Sequence, residues 1–180
     1  MPEQWGSLAV DDEGIATRKN VLIENGVLKT YLTDRLCGLK MGTEPNGCAR
    51  RQSYRFAPAP RMTNTYIARG TDRPEDMVRS VERGLYVKSI QAGSVNSITG
   101  EFNFKTGETF LIEKGKIVCP VRGATLIGRG RDILNKVEMV GDDFAIGQGF
   151  CYSGSGAIYI GAGQPSVKIS EMTVGGDEIA

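Results

Sequence analysis

Residues 144–167, FAIGQGFCYSGSGAIYIGAGQPSV, carry no charge, yet they hold six glycines and one reactive side chain, Cys151. The glycines, serines and glutamines leave too little apolar surface for a membrane span. The pattern predicts a strand, a loop and a second strand. Glycine has no Cβ, so such a segment suits either a crowded β core or a functional loop that another backbone approaches closely. Cys151 at its centre favours the functional loop.

Composition sets limits on the fold and on the chemistry. A chain of 180 residues is long enough for one domain with a proper core, so we expect residues 1–180 to form a single domain. The 24 glycines indicate many turns and few long helices, because glycine favours turns over helix interiors. The 22 basic and 21 acidic residues nearly balance. No histidine is present, which excludes Ser-His-Asp and Cys-His nucleophiles and every histidine-containing metal motif within the chain.

Four cysteines, Cys37, Cys48, Cys119 and Cys151, are too widely spaced for a C-x-x-C zinc motif. We expect reduced thiols, and we interpret the first three as packing residues. Cys151 by itself has three interpretations: a buried apolar residue, a nucleophile, or a thiolate metal ligand whose companions lie elsewhere. No histidine is available to activate a nucleophile. Spacing alone ranks the buried residue first, because that is the usual fate of a free cysteine.

Two hairpins and two short helices are predicted. Residues 21–32 carry Asn25-Gly26 between apolar runs, and residues 110–118 carry Lys114-Gly115; such pairs supply the positive φ angles of a tight turn. The predicted fold is therefore mainly β: an antiparallel curled sheet, a sandwich or a barrel-like domain with one or two short helices.

The longer helix is predicted over residues 73–83, with Asp72 as N-cap, Pro74 in the first turn and Gly84 as the stop. The shorter helix is predicted over residues 131–136. It follows Gly128-x-Gly130, which resembles a phosphate-binding turn but lacks the third glycine. A lone G-x-G is weak support for a nucleotide site.

Residues 49–71 combine arginines with aromatic side chains and contain no acidic residue. The arginines are Arg50, Arg51, Arg55, Arg61 and Arg69. This pattern is typical of single-stranded nucleic-acid binding. The alternative is a wrapped loop whose arginines pair with carboxylates elsewhere in the fold. The net charge of +1 favours the wrapped loop.

Several motifs together make the chain recognisable. They are VLIENG at 21–26, RMTNTY at 61–66, PVRGATLIG at 120–128, the segment around Cys151, GQP at 163–165 and MTVGG at 172–176. In this order the motifs resemble the carboxy-terminal domain of the TldD/PmbA family. Its members are metallopeptidases that have also been described as modulators of DNA gyrase.

The resemblance implies a shared zinc site. In the active, TldD-like subunits an H-E-x-x-x-H helix in the amino-terminal half and a cysteine from the carboxy-terminal domain hold zinc; PmbA-like subunits lack these ligands. Cys151, followed by SGSG at 153–156, matches the ligand cysteine of the TldD-like type. The histidine-bearing amino-terminal domain is absent from this chain. The resemblance therefore implies that the amino-terminal half of the same protein is a partner of this chain. It also implies that this chain supplies a zinc ligand but no catalytic residue, so that the fragment alone is inactive.

The resemblance also implies a peptide substrate, a homodimer or a heterodimer with a sister subunit, and a cytoplasmic location without membrane insertion. Beside Cys151, small residues would let an extended peptide approach, so we assign substrate binding to Gly149, Ser153, Gly154, Gly156 and Asn64. Two alternatives stay open: a non-catalytic β-rich dimerisation module with a buried Cys151, and, less favoured, a single-stranded nucleic-acid binder.

Overall fold

The structure is a computed structural model that describes residues 3–176. Its elements, in chain order, are β1 (Ile23–Glu24), β2 (Val27–Leu28), α1 (Arg35–Met41), β3 (Ala49–Arg50), β4 (Ala59–Pro60), β5 (Asn64–Tyr66), α2 (Pro74–Arg79), β6 (Arg83–Val87), β7 (Ile90–Val95), β8 (Glu101–Thr106), β9 (Thr109–Glu113), β10 (Lys116–Pro120), β11 (Thr125–Arg129), α3 (Gly130–Leu134), β12 (Val137–Val140), β13 (Ala145–Ser153), β14 (Gly156–Gln164), β15 (Val167–Ile169) and β16 (Thr173–Gly175). Most regular structure is antiparallel strand, which confirms the predicted fold class. Within the described residues no sheet closes on itself.

The described chain divides into two compact units. Residues 3–68 and 145–164 form the first, and residues 69–144 and 165–176 form the second. The predicted organisation as a single domain stays a prediction. No helix between residues 3 and 176 is both long enough and apolar enough to cross a membrane.

The first unit is built on a long hairpin. Strands β13 and β14 are each nine residues long and pair from Ala145↔Gln164 to Ser153↔Gly156. The turn between them is Gly154–Ser155, and Gly156 follows with φ +94°. The uncharged segment is thus a strand, a short turn and a strand. The expectation that Cys151 lies in a loop is wrong, because Cys151 lies inside β13, where its Cα partner on β14 is Ile158.

The two faces of this hairpin differ. Strand alternation puts Cys151 on the same face as its cross-strand partner Ile158 and as Ile160, and both isoleucines are buried. Phe150 and Tyr159, a facing pair, lie on the opposite face and are exposed. The buried face contributes to the core of the first unit.

Strand β5 extends the hairpin sheet by parallel pairing with β14, which begins at Gly161↔Asn64. A Cβ at Gly161 would lie 2.4 Å from Oδ1 of Asn64, so glycine leaves room for this side chain. Among the described residues the strand order is β13-β14-β5. Strand β13 is therefore an edge strand.

Arg61 holds the closed end of the hairpin. Its side chain is 4% exposed and donates from Nη1 to Oγ of Ser155 at 2.5 Å and to the carbonyl of Gly156 at 3.0 Å. Nη2 donates to the carbonyl of Cys151. Within the described chain the buried Nε has no hydrogen-bond partner. One guanidinium thus links both strands and the turn, as its fork of donors permits.

A helix that the sequence analysis missed also belongs to the first unit. Helix α1 begins after Asp34, whose carboxylate accepts from the backbone N–H of Cys37 at 2.7 Å. It ends at Gly42, which has φ +65°. Both are ordinary capping signals, but the helix has only seven residues and little apolar periodicity.

The second unit contains three further sheets, whereas the short pairs β1-β2 and β3-β4 belong to the first unit. Strands β10, β9 and β6 form one sheet, strands β16, β11, β8 and β7 form another, and β12 pairs with β15. Met77, Ile112 and Ala124 are the buried apolar side chains of this unit.

Both predicted hairpin turns are confirmed. In the first unit β1 and β2 pair across Asn25 and Gly26, with φ angles of 50° and 77°. In the second unit β9 and β10 pair across Lys114 and Gly115, with φ angles of 49° and 72°. Positive φ at both central residues is what a type I′ turn requires.

The predicted helices exist, but their details differ. The longer helix ends at Arg79, and the N-cap is Arg73 without a side-chain cap. Asp72 is not the cap, because its carboxylate accepts from the backbone N–H of Val140 at 2.9 Å. Gly84 does not stop the helix either, because it lies in β6 and pairs with β9. Helix α3 covers Gly130–Leu134 rather than residues 131–136.

We expect Arg61→Lys to lower the free energy of unfolding by about 2 kcal/mol, because a single ammonium cannot reach oxygens on both strands and the turn. Urea unfolding measures the change. The matched control is Arg55→Lys, where an exposed arginine of the same segment contacts the ring of Tyr54; this change should cost less than about 0.5 kcal/mol. Equal effects of the two substitutions would contradict the role of Arg61.

Candidate functional site

Cys151 occupies a half-buried position on β13. Its thiol is free, and its own carbonyl is held by the buried guanidinium of Arg61. The ladder with β14 and the hydrogen bond from Arg61 both fix the backbone at Cys151. The backbone at Cys151 is thus held in place, and its thiol is only partly buried.

The other three cysteines differ from Cys151 in their surroundings, and all four are free. Cys48 is 2% exposed, and burial raises the pKa of its thiol to about 11, so it stays protonated at neutral pH. A hydrogen bond to Asp34, followed by partial burial, raises the pKa of Cys37. Cys119 is exposed on β10, so its interpretation as a packing residue is wrong.

Arg50 brings a second buried positive charge to the first unit. It is 6% exposed, and its Nη1 donates to the carbonyl of Met62 at 2.6 Å. It forms no ion pair with any described residue. Burial is the main cause that lowers the pKa of Arg50, and the positive charge of Arg61 lowers it further. The charges of Asp12 and Cys151 act in the opposite direction and raise this pKa. Arg50 and Cys151 are therefore close enough to interact electrostatically.

The arginine-rich segment does not form an exposed basic surface. Arg50 and Arg61 are buried, and Arg51 lies 4.0 Å from Asp12. Only Arg55 and Arg69 of the five are exposed. The predicted pairing with carboxylates therefore holds for Arg51, whereas Arg50 and Arg61 use backbone carbonyls instead. This arrangement weakens the nucleic-acid alternative, which requires charges that face solvent.

The residues assigned to substrate binding do not all lie together. Gly149 and Ser153 flank Cys151 at two-residue intervals on β13 and share its face. Gly154 is exposed in the turn. Gly156 packs against Gln52, whose Cβ would lie 2.4 Å from an added Cβ.

Asn64 is placed elsewhere, on β5. Its side chain accepts from the backbone N–H of Gly6 at 3.1 Å and donates to Oγ of Ser7 at 3.0 Å. It pairs with Gly161, whereas Cys151 pairs with Ile158. The substrate-binding assignments of these five residues stay predictions.

Sequence reasoning missed a cavity beside the hairpin. It has a volume of about 370 Å³ and is lined by Arg50, Arg51, Gln52, Phe150, Ala157, Ile158 and Tyr159. Trp5 contacts the rings of Tyr159 and Phe150 at centroid distances of 5.2 and 6.1 Å. The signal in the sequence was the run of arginines without a nearby acidic residue.

A metal ion cannot be held by Cys151 alone. In residues 3–176 no group of three or more His, Cys, Asp or Glu side chains is arranged to hold one. Structural and catalytic zinc sites need at least three protein ligands. A zinc site that used Cys151 would need at least two further ligands besides those that the described residues bring together.

Comparison with known sequences identifies relatives along nearly the whole chain. A family model described as the PmbA/TldA metallopeptidase C-terminal domain matches residues 1–176. The metalloprotease TldD homolog of Buchnera aphidicola is 45% identical over 175 residues, which cover 96% of this chain and 36% of the relative. The zinc metalloprotease TldD homolog of Saccharolobus solfataricus is 35% identical over 166 residues, which cover 92% of this chain and 37% of the relative.

Solved structures agree with these matches. A Thermotoga maritima protein described as a candidate modulator of a DNA gyrase has a TM-score of 0.79 and 27% identity, over 97% of this chain and 37% of that one. TldE from Thermococcus kodakarensis has a TM-score of 0.76 and 26% identity, over 94% and 36%. The chain thus spans little more than a third of the length of these relatives. It belongs to the PmbA/TldD metallopeptidase family and corresponds to that family's C-terminal domain.

Proposed function

We propose that this chain is the C-terminal domain of a zinc-dependent metallopeptidase that cleaves peptides or unfolded polypeptides. The chain supplies the thiolate of Cys151 as one zinc ligand, together with a wall for the peptide. The observation that carries this proposal is the half-buried, free thiol of Cys151 on a rigid strand. The names of the relatives support it, since one is a zinc metalloprotease and another a metalloprotease.

The surroundings of Cys151 suit a thiolate ligand better than those of the other cysteines. Its thiol is free and only half-buried, so a metal ion can reach it. Cys48 is unsuitable because its thiol is sealed in the core and donates to Oδ1 of Asn46 at 3.1 Å. A rigid backbone also matters, because a ligand that is held in place loses little entropy when the metal binds.

The other zinc ligands and the general base belong to the amino-terminal half of the protein, because this chain has no histidine. Zinc, when bound, lowers the pKa of its water and polarises the peptide carbonyl. This chain by itself is then inactive. We further propose a cytoplasmic protein that pairs either with an identical subunit or with a sister subunit of the same family.

The peptide wall rests on the free edge of β13. Among the described strands β13 has a partner on one side only, so its main chain can add an extended peptide. A Cβ at Gly154 would meet no atom within 4 Å, and one at Gly149 would meet only Cγ1 of Ile160, at 3.9 Å. Neither glycine has a positive φ. Packing within the described chain therefore does not require these two glycines, and the open space beside them is available to a peptide.

In the full-length protein with its histidine-bearing half, Cys151→Ser should abolish peptide cleavage and lower zinc occupancy. Serine is nearly isosteric, so the packing cost should be about 1 kcal/mol, but its hydroxyl is a poor zinc ligand. Turnover, metal analysis and thermal unfolding measure these effects. The matched controls Cys37→Ser, Cys48→Ser and Cys119→Ser should keep zinc and activity. Full zinc and full turnover in Cys151→Ser would refute the ligand assignment.

The 180-residue chain alone should bind zinc weakly or not at all, because one thiolate without partners cannot form a site. Equilibrium dialysis of the tag-free chain with zinc, followed by metal analysis, tests this expectation. Stoichiometric zinc would instead indicate a cysteine-only site.

Alanine at Gly149 or Gly154 should lower kcat/KM for peptides about tenfold, because a methyl group obstructs the peptide, and should change stability by less than about 0.5 kcal/mol. The control Gly156→Ala should destabilise the chain by about 1 kcal/mol or more, because φ is +94° there. Kinetics and thermal unfolding separate the two effects. Unchanged kinetics in both Gly149→Ala and Gly154→Ala would exclude this wall.

A further inference from the structure

We propose that the cavity between Arg50, Arg51 and the aromatic side chains of the hairpin binds a carboxylate group of a peptide. The carboxylate is either an acidic side chain or the terminal carboxylate of the peptide. In naming a peptide as the ligand, this inference rests on the proposed function. Its consequence is a preference for peptides that carry a negative charge close to the segment held by the chain.

The first support is the unbalanced charge of Arg50. Its guanidinium is almost fully buried, yet its only hydrogen bond to a described residue is to the carbonyl of Met62. Arg61 lies close enough to oppose its charge. Asp12 offsets part of this charge, but no described carboxylate pairs directly with Arg50. An anion that reaches Arg50 therefore gains more than it would at an exposed arginine.

The second support is that this end of the cavity is held in place. The backbone N–H of Gln52 donates to the carbonyl of Ser155 at 2.9 Å, and Oε1 of Gln52 accepts from the N–H of Ala157 at 2.8 Å. The N–H of Arg51 donates to Oδ2 of Asp12 at 2.8 Å. The backbone that carries both arginines is therefore fixed to the hairpin before a ligand binds, which lowers the entropic cost of binding.

The remaining wall is apolar and aromatic. The rings of Phe150 and Tyr159 lie 4.7 Å apart, and both side chains remain exposed. Ile158 and Ala157 complete this side of the cavity. A cavity of about 370 Å³ lies at the small end of ligand sites, which span roughly 300–1,000 Å³. Its size suits one or two amino-acid residues.

A singly charged carboxylate matches these groups better than a phosphate. Asp12 lies 4.0 Å from Arg51, and its charge also acts on Arg50, so the two arginines and this one carboxylate leave a single net positive charge beside the cavity. Guanidinium groups bind planar carboxylates through two parallel hydrogen bonds. The apolar wall accommodates the carbon chain that carries the carboxylate, whereas inorganic phosphate has no such part.

Trp5 supplies the readout, because it is the only tryptophan of the chain and contacts two rings of the cavity wall. The 180-residue chain is titrated with acetyl-Ala-Ala-Glu-amide, its Gln counterpart, and acetyl-Ala-Ala-Ala as free acid and as amide. We expect at least one of the two charged peptides to bind about tenfold more tightly than its neutral counterpart. Preference for Glu indicates side-chain recognition, and preference for the free acid indicates recognition of the terminal carboxylate.

Arg51→Gln should remove most of this preference, and the matched control Arg55→Gln should keep it, although both lose one positive charge. Arg50→Gln should remove the preference for charged peptides entirely, provided that circular dichroism shows a folded chain. If this variant does not fold, the result for Arg51→Gln alone tests the proposal. Equal affinity for Glu and Gln peptides and for free acid and amide, equal effects of Arg51→Gln and Arg55→Gln, or tighter binding of inorganic phosphate would each overturn the proposal. The titration needs neither zinc nor cleavage, so its outcome and that of Cys151→Ser are independent.

Discussion

The guanidinium of Arg61 is the interaction on which the first unit depends. It reaches the carbonyl of Cys151, the carbonyl of Gly156 and the hydroxyl of Ser155, and it thereby ties both strands of the hairpin to their turn. The hydrogen bonds join residues 90 to 95 positions apart in sequence. A neutral side chain of this length could not satisfy so many oxygens at once, since only arginine carries five donors in a fixed plane. This contact and the ladder with β14 together hold β13 in place at Cys151.

This contact has an electrostatic cost that the chain does not offset with a carboxylate. Arg50 and Arg61 are both buried, and among residues 3–176 neither forms an ion pair. Carbonyl dipoles stabilise a buried cation less than a full negative charge does. Such uncompensated charge is common where a protein meets a ligand, because function can require a site that is not at its stability optimum. The thiolate proposed at Cys151 and the carboxylate proposed for the cavity are both anions that would relieve this cost.

Geometry distinguishes the glycines that the fold of the chain explains from those that it does not. The fold of the chain accounts for Gly156 by its positive φ and for Gly161 by the side chain of Asn64, which occupies the space that a Cβ would take. Gly149 and Gly154 have open space around them. Gly149 lies on β13, which is an edge strand among the described residues, and Gly154 lies in the turn that follows it. Some glycines of the hairpin are therefore explained by the fold of the chain, whereas the fold of the described residues does not require the others.

The sequence by itself determined the features that depend on neighbouring residues. Asn25-Gly26 and Lys114-Gly115 specify their turns because positive φ is a local property, and the absence of histidine excludes a self-contained zinc site of the expected type. Tertiary structure alone decided the rest. It turned Arg50 and Arg61 inward, put Cys151 on a strand, and used Asp72 to hold Val140 instead of capping a helix. The physical reason is that burial and hydrogen-bond partners come from residues far away in sequence, which no local pattern encodes.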